Sequence, residues 1–508
     1  NMGDKEKKIE NQKAKKQENL AEDVKKIENE PEEEKEIKEE DKSNLNEEKQ
    51  EAINEEIFRA YDIRGTYPKT INEQVAFTIG RSYGSYLQEK YNKNTCIVSH
   101  DNRLSSEALT QNLIKGLVSS GLNIISLGYT TTPMNYYARY INQMPGIMVT
   151  ASHNPKDDNG FKMSFDGMIN ARGEMIEDFK KYTYAGNFKS GQGKITNTNI
   201  TDKYLDYLKF SIKYGKNKRK IVIDPGNGAT CHIIRKVFDN AFCNPIYIND
   251  ISDGTFPNHH PDPCVKENMV QLQKAVKENR ADFGVAYDGD GDRIGVVMEN
   301  GEVMPIEFLM LLYIKDMFNT VSNKTFLYDV KCSKVMEDMI HAWGGKTILY
   351  RTGASYTEFK THEDNLPFGG EYSGHLYFRD RDADCASAIY ASLRLLEIMS
   401  KTSEKLSKMV KDFPKYYSTP EIKIPSDDNI KFNVVEQVKK YAKMKNYPVN
   451  DIDGVRITYT NGWVLVRASN TGPNLTFRAE STSEYGIISL QNIYLPMIEE
   501  YNKPIDML

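Results

Sequence analysis

The 508-residue chain is predicted to fold in the α/β class, as three consecutive α/β domains of mixed but mostly parallel sheets and a smaller C-terminal α+β domain. Three observations predict this. Short apolar strands alternate with amphipathic helical stretches, and the alternation restarts twice along the chain. Polar clusters follow the strand ends, as they do in open α/β sheets, where ligands gather beyond the carboxyl ends of strands. After about Ser418 the alternation gives way to hairpin spacing.

The first element is a charged tail, residues 1–53. Within its first 50 residues, 12 Lys face 17 Asp and Glu, too few apolar residues remain to bury a core, and disorder or a solvated helix is expected. Leu20, Val24 and Ile27 form a short stripe, so a helix that binds an unidentified partner is the alternative. Residues 54–200 form the first domain: "TCIVSHD" reads as a strand, "SSEALTQNLIKGLVSSG" as a helix, and "NIISLGY" and "GIMVTAS" as strands. The second domain, 201–304, restarts at "RKIVIDPGNGA" and passes through "ADFGVAYDGDGDR"; the third, 305–418, holds "KTFLYDVKCS" and "KTILYRTG". In the fourth, 419–508, "VRITYTNGWVLVRAS" is a hairpin with Asn461-Gly462 as its turn, followed by another strand and a final helix.

Composition narrows the function. Residues 1–50 and the whole chain both carry a net charge of −5, so the remainder is close to neutral, which argues against nucleic acid or a membrane surface held by bulk charge. No apolar run reaches the length of a membrane span, and no signal-peptide pattern opens the chain. Cys96, Cys231, Cys243, Cys264, Cys332 and Cys385 are scattered, with no CxxC pair or zinc spacing. Reduced thiols in a cytoplasmic enzyme are expected.

Two stretches carry chemistry. In "AYDGDGDRIGVV", Asp288, Asp290 and Asp292 are separated by glycines that let the backbone fold tightly, so three carboxylates converge. Three anions that close repel unless a cation lies between them, and hard oxygen ligands favour Mg²⁺ or Ca²⁺. An EF-hand is excluded: Arg293 takes the sixth position, where glycine is needed, and the flanks are β-like. In "VTASHNPKDDNGFK", Ser152 follows an apolar strand. As a loop serine it is ordinary; phosphorylated, it would bring acceptor oxygens that complete a metal site.

"FRAYDIRG", "TASHNP", "DGDGDR", "GEYSGH" and "RASNTGP" occur in that order, and together they resemble the signature loops of the α-D-phosphohexomutases, most closely the phosphomannomutase/phosphoglucomutase branch. The resemblance covers roughly residues 54–508. It implies four domains around a central cleft. It also implies an enzyme that interconverts hexose 1-phosphate and hexose 6-phosphate through a phosphoserine and a hexose 1,6-bisphosphate. Ser152 matches the phosphoserine, and Ser152, Asp288, Asp290 and Asp292 the Mg²⁺ site. Arg64, His153, Lys162 and Arg293 line the transfer zone, with Lys162 and His375 as candidates for moving the sugar hydroxyl's proton. Tyr61, Lys331, Glu371, Ser373 and His375 match substrate contacts, Glu371 and Ser373 as readers of sugar hydroxyls. Arg467, Ser469, Asn470, Thr471 and Arg478 match the loop for the non-reacting phosphate. The implied partners are small hexose phosphates.

Two positions depart from the pattern. Ala354 in "RTGASY" stands where the bacterial dual-specificity enzymes carry histidine, which leaves the mannose or glucose preference open. Gly472 replaces a second threonine of the phosphate loop. Tyr372 and Asn470 argue against a phosphoglucosamine or phosphoacetylglucosamine mutase, the rival enzyme. A catalytically silent regulatory member of the family is the rival from another class.

Overall fold

The computed structural model describes residues 53–381, 386–469 and 472–503. The tail stripe, Cys385, Asn470 and Thr471 lie outside them.

Ala52–Leu508 is a single compact unit with four sheets. The first has the order β1-β5-β4-β2-β3-β6, with β1 Ile63–Thr66, β2 Thr95–His100, β3 Asn123–Tyr129, β4 Gly146–Val149, β5 Asp158–Met163 and β6 Ile195–Asn197. The second runs β10-β9-β7-β8, with β7 Arg219–Asp224, β8 Cys243–Tyr247, β9 Phe283–Tyr287 and β10 Ile294–Met298. The third runs β12-β11-β13-β14, with β11 Thr325–Asp329, β12 Lys346–Tyr350, β13 Phe368–Gly370 and β14 Leu376–Phe378. The fourth comprises β15 Tyr417–Ser418, β16 Ile422–Pro425, β17 Val449–Asn450, β18 Val455–Tyr459, β19 Gly462–Ala468 and β20 Asn474–Ser481. Its described pairs are all antiparallel.

The first three sheets share one device. Their inner pairs β2–β4, β7–β9 and β11–β13 are parallel, and each of β4, β9 and β13 then pairs with an antiparallel return strand, β5, β10 or β14. The serine loop, the aspartate loop and "GEYSGH" are the three turns between those strands. "RASNTGP" is the corresponding turn of the β19–β20 hairpin. Each motif is therefore held at both ends by a ladder of backbone hydrogen bonds, which suits loops that must hold a fixed geometry.

One apolar core runs through all three α/β sheets, from Ile97 and Met134 through Val285 and Phe308 to Phe413. The helix Ala388–Ser400, buried along its whole length, packs against β7 and β10 and joins the second sheet to the third. The fourth sheet has a separate core around Val438, Val464, Phe477 and Tyr494. It meets the third through a smaller cluster of Val330, Trp463 and Leu465. That arrangement makes three domains one scaffold and leaves the fourth attached by a limited contact. In the fourth sheet Tyr459 pairs with Gly462, so Thr460-Asn461 connects the strands, one residue earlier than the expected Asn461-Gly462.

Candidate active site

Ser152 sits in the β4–β5 turn with φ of 55° and is 1% exposed. A positive φ is unusual for serine and costs of order 1–3 kcal/mol unless the surroundings enforce it. Arg103 enforces it. One terminal nitrogen donates to Ser152 O and Asn154 O, both at 2.8 Å, and the other to Pro155 O at 2.5 Å and Asp158 O at 3.1 Å. Thr150 Oγ1 accepts from the Ser152 N–H at 2.9 Å and donates to Asp101 Oδ2 at 2.7 Å. Asp101 in turn lies 3.2 Å from Arg103 Nε. Arg64 adds a second brace, donating to Ala151 O and Asn154 Oδ1 while Asp62 holds its Nε at 2.7 Å.

The side chain then points at the aspartate turn. Ser152 Oγ donates to Asp288 Oδ2 at 2.8 Å, and His153 Nδ1 lies 3.4 Å from the same hydroxyl. Asp288 Oδ1 accepts the backbone N–H groups of Gly291, Asp292 and Arg293 at 3.0–3.1 Å, so one carboxylate both shapes the turn and meets the serine. Gly291 closes that turn at φ 85°, open to glycine at little cost.

Asp288, Asp290 and Asp292 are buried, and a carboxylate oxygen from each lies within 4.8 Å of the others. Burial, then Asp290 and Asp292, push the Asp288 carboxyl well above its ordinary range. Asp292 lies well below it, because the charges of Lys162 and His375 outweigh its burial. Lys162 Nζ reaches Asp290 Oδ2 and Asp292 Oδ2, each at 2.7 Å. Despite burial, those two carboxylates hold its ammonium well above the ordinary lysine value. Asp290 Oδ1 is buried without a hydrogen-bond partner. A converging set of hard oxygens, with Asp290 Oδ1 and Asp292 Oδ1 both buried and lacking a hydrogen bond, fits a small divalent cation.

The "GEYSGH" turn closes against this centre. His375 lies 3.2 Å from Asp292 Oδ1 through Nε2 and 3.2 Å from Glu371 Oε2 through Nδ1, which also contacts Ser373 Oγ at 2.9 Å. Glu371 Oε1 accepts the Gly353 N–H at 2.6 Å. Burial pushes the His375 imidazole down, but Asp292 and its other partners raise it overall. His153 is held well below the ordinary histidine value by burial and by Arg293 and Arg64.

From the fourth domain, Arg467 Nε donates to Asp453 Oδ2 at 3.1 Å, and the same oxygen accepts the Thr352 N–H of the third domain. The Arg478 guanidinium stacks 3.8 Å from the centre of the Tyr372 ring, donates to Lys331 O and lies 3.7 Å from Glu307. Lys331 Nζ pairs with Glu421 at 3.1 Å.

These groups share a cleft of 1630 Å³. Tyr61, Arg64, His153, Lys162, Arg293, Lys331, Glu371, Ser373, His375, Arg467, Ser469 and Arg478 all line it, with Ala354 and Gly472. Ser152 and the three aspartates lie buried behind that lining. Sequence reasoning passed over Arg103. Its place two residues after a strand's "SHD" gave no sign that its guanidinium gathers four carbonyls from a loop some fifty positions away.

The phosphoglucomutase/phosphomannomutase models for α/β/α domains I, II and III match residues 55–186, 202–301 and 306–417, and the C-terminal domain model matches 421–491. The chain belongs to this family. It is 37% identical over 454 residues to the phosphomannomutase/phosphoglucomutase of Pseudomonas syringae pv. tomato, covering 89% of this chain and 97% of that one. It is 34% identical to a Neisseria gonorrhoeae phosphoglucomutase, covering 88% and 98%. A phosphoglucomutase/phosphomannomutase family crystal structure from Burkholderia thailandensis superimposes with a TM-score of 0.81 at 32% identity, covering 89% and 98%. In this member of the family, the matched domains contribute one motif turn each to the cleft. Among the described residues no helix is long and apolar enough to cross a membrane.

Proposed function

We propose that the chain interconverts hexose 1-phosphate and hexose 6-phosphate, of mannose, glucose or both, by passing a phosphoryl group through Ser152. The observation that carries this reading is the hydroxyl of Ser152, held at a positive φ and aimed at Asp288 inside a three-carboxylate cluster. Asp288, Asp290 and Asp292 would hold Mg²⁺ together with the phosphoryl group on Ser152, and the ion supplies positive charge against the phosphoryl oxygens.

The remaining steps belong to the protein. In the first transfer the bond from Ser152 Oγ to phosphorus breaks and a bond from the free sugar hydroxyl forms, giving hexose 1,6-bisphosphate. The hydroxyl's proton ends on Ser152 Oγ. Lys162 and His375, both in contact with Asp292, are the groups suited to relay it. Arg64 and Arg293 supply fixed charge where anion accumulates. The bisphosphate turns over, and the second transfer returns its other phosphoryl group to Ser152. Glu371 and Ser373 read hydroxyls in either orientation, aided by Tyr61 and Lys331, while Arg467, Ser469, Asn470, Thr471 and Arg478 grip the phosphate that is not reacting. Free Cys96, Cys231, Cys243, Cys264 and Cys332 suit a reducing compartment, the cytoplasm.

Steady-state rates on glucose 1-phosphate, mannose 1-phosphate and glucosamine 1-phosphate, with Mg²⁺ and the matching bisphosphate, test the reading. Turnover of either of the first two is expected. Turnover of glucosamine 1-phosphate alone would move the enzyme to the amino-sugar class, and none on any would contradict the reading.

A further inference from the structure

The turn between β19 and β20 is anchored by a cation that the site above does not use. Ser469 and Gly472 stand at its two ends and line the cleft. Their carbonyl oxygens converge on Lys431, whose Nζ donates to Ser469 O at 2.8 Å and to Gly472 O at 3.1 Å. A third partner, Asp428 Oδ1, lies at 2.5 Å. An ammonium has three donors and no acceptor, so these three oxygens use it fully.

Lys431 is the first residue of the helix Lys431–Met444, is 5% exposed and stands outside the cleft lining. Lysine is almost never this buried without a compensating partner. Among the described residues its carboxylate partner is Asp428, whose side chain is 58% exposed, and its other two hydrogen bonds go to the β19–β20 turn. Backbone hydrogen bonds also hold the turn's ends: Ser469 N donates to Asn474 O, Asn474 N to Gly472 O, and Ser426 N to Pro473 O.

We propose that Lys431 is a positioning residue for the phosphate grip. By holding the carbonyls of Ser469 and Gly472 to itself, the ammonium fixes the width of the turn. It also sets a positive charge against two carbonyl oxygens of the turn, one of which, Gly472 O, already accepts the Asn474 N–H. Arg467 touches the phosphate; Lys431 acts through the turn. This inference rests on the reading of residues 467–473 as the phosphate site.

The test compares the full-length wild type with Lys431→Met, Lys431→Arg and Arg467→Ala, by kcat and KM on whichever hexose 1-phosphate turns over. Circular dichroism gives the folded fraction of each. Lys431→Met is expected to raise KM at least about tenfold with kcat per folded molecule within about threefold, and Lys431→Arg to bring KM back within about threefold of wild type. If Arg467→Ala raises KM while Lys431→Met leaves it within about twofold, the inference falls and the phosphate-site reading stands. If Arg467→Ala leaves KM unchanged, the phosphate-site reading falls, and the inference with it. A Lys431→Met defect confined to kcat or to the folded fraction would assign the lysine to stability alone and overturn the proposal.

Discussion

Ser152 and Asp288 are 136 positions apart and belong to different sheets, yet the serine hydroxyl donates to the aspartate at 2.8 Å. A second tie joins the aspartate turn to the start of the first domain's helix Thr132–Asn142. The Thr132 N–H donates to Asp290 O at 2.9 Å, and Thr132 Oγ1 to Asp290 Oδ2 at 2.6 Å. Domains one and two thus meet at the Ser152 hydroxyl, over a core they share with domain three.

Replacing Asp290 with Asn should separate metal binding from folding. Asp290 Oδ2 is satisfied by Thr132 and Lys162, and Oδ1 has no hydrogen-bond partner. The variant should keep its thermal transition within a few degrees, lose at least about tenfold in Mg²⁺ affinity by calorimetry and lose turnover in parallel. Full wild-type activity in excess chelator would contradict the metal assignment.

Arg103→Lys tests how Ser152 is held. A lysine offers a single point charge in place of a planar fork and cannot reach four carbonyls at once. kcat should fall at least about tenfold with KM nearly unchanged, because alignment of the hydroxyl is lost while sugar and phosphate contacts remain. A kcat within about twofold of wild type would show that Arg64 and the Asp101–Thr150 pair suffice to hold the turn.

Much of this was legible in the sequence because the motif turns are short and follow buried strands. The glycines between Asp288, Asp290 and Asp292 announced a tight turn, and the apolar runs before them announced strands. The antiparallel return strands were less visible. Leu376–Phe378 is three residues long, too short for periodicity to mark it. The braces were invisible for a different reason. Arg103, Lys431 and Thr132 reach loops brought near only by tertiary folding, and an arginine or lysine in isolation reads as surface. The Tyr372–Arg478 stack likewise needs two domains to meet.

The Lys331–Glu421 pair across domains three and four should make docking depend on pH. Burial alone would raise the Glu421 carboxyl, but Lys331 overrides it and brings it down to about 2. A depressed folded-state value means the contribution is complete above the ordinary carboxyl range, near ~4.3, and is lost as pH falls toward about 2. Trp463, buried beside Val330, reports the contact, and Trp343→Phe removes the only other tryptophan. In that background the emission should shift red as pH falls from ~4.3. Glu421→Gln should show part of the shift already at pH 7. Identical emission in both proteins at pH 7 would show that the pair does not hold the domain.

Arg467→Ala should raise KM for the hexose phosphate at least about tenfold, the loss expected of one charge-assisted contact of about 1.5–3 kcal/mol. kcat should fall as well, since the same grip aligns the sugar. Phosphorylation of Ser152 by excess bisphosphate should survive. An unchanged KM would remove the β19–β20 turn from substrate binding.

The central claim is that Ser152 carries the exchangeable phosphoryl group, and intact-mass spectrometry of the full chain tests it most directly. After incubation with hexose 1,6-bisphosphate, the protein should be heavier by one phosphoryl group, located on Ser152 by fragmentation. Excess hexose monophosphate should discharge it, and Ser152→Ala should not acquire it. A stoichiometric, exchangeable phosphate on any other residue, or full turnover by Ser152→Ala, would contradict the account.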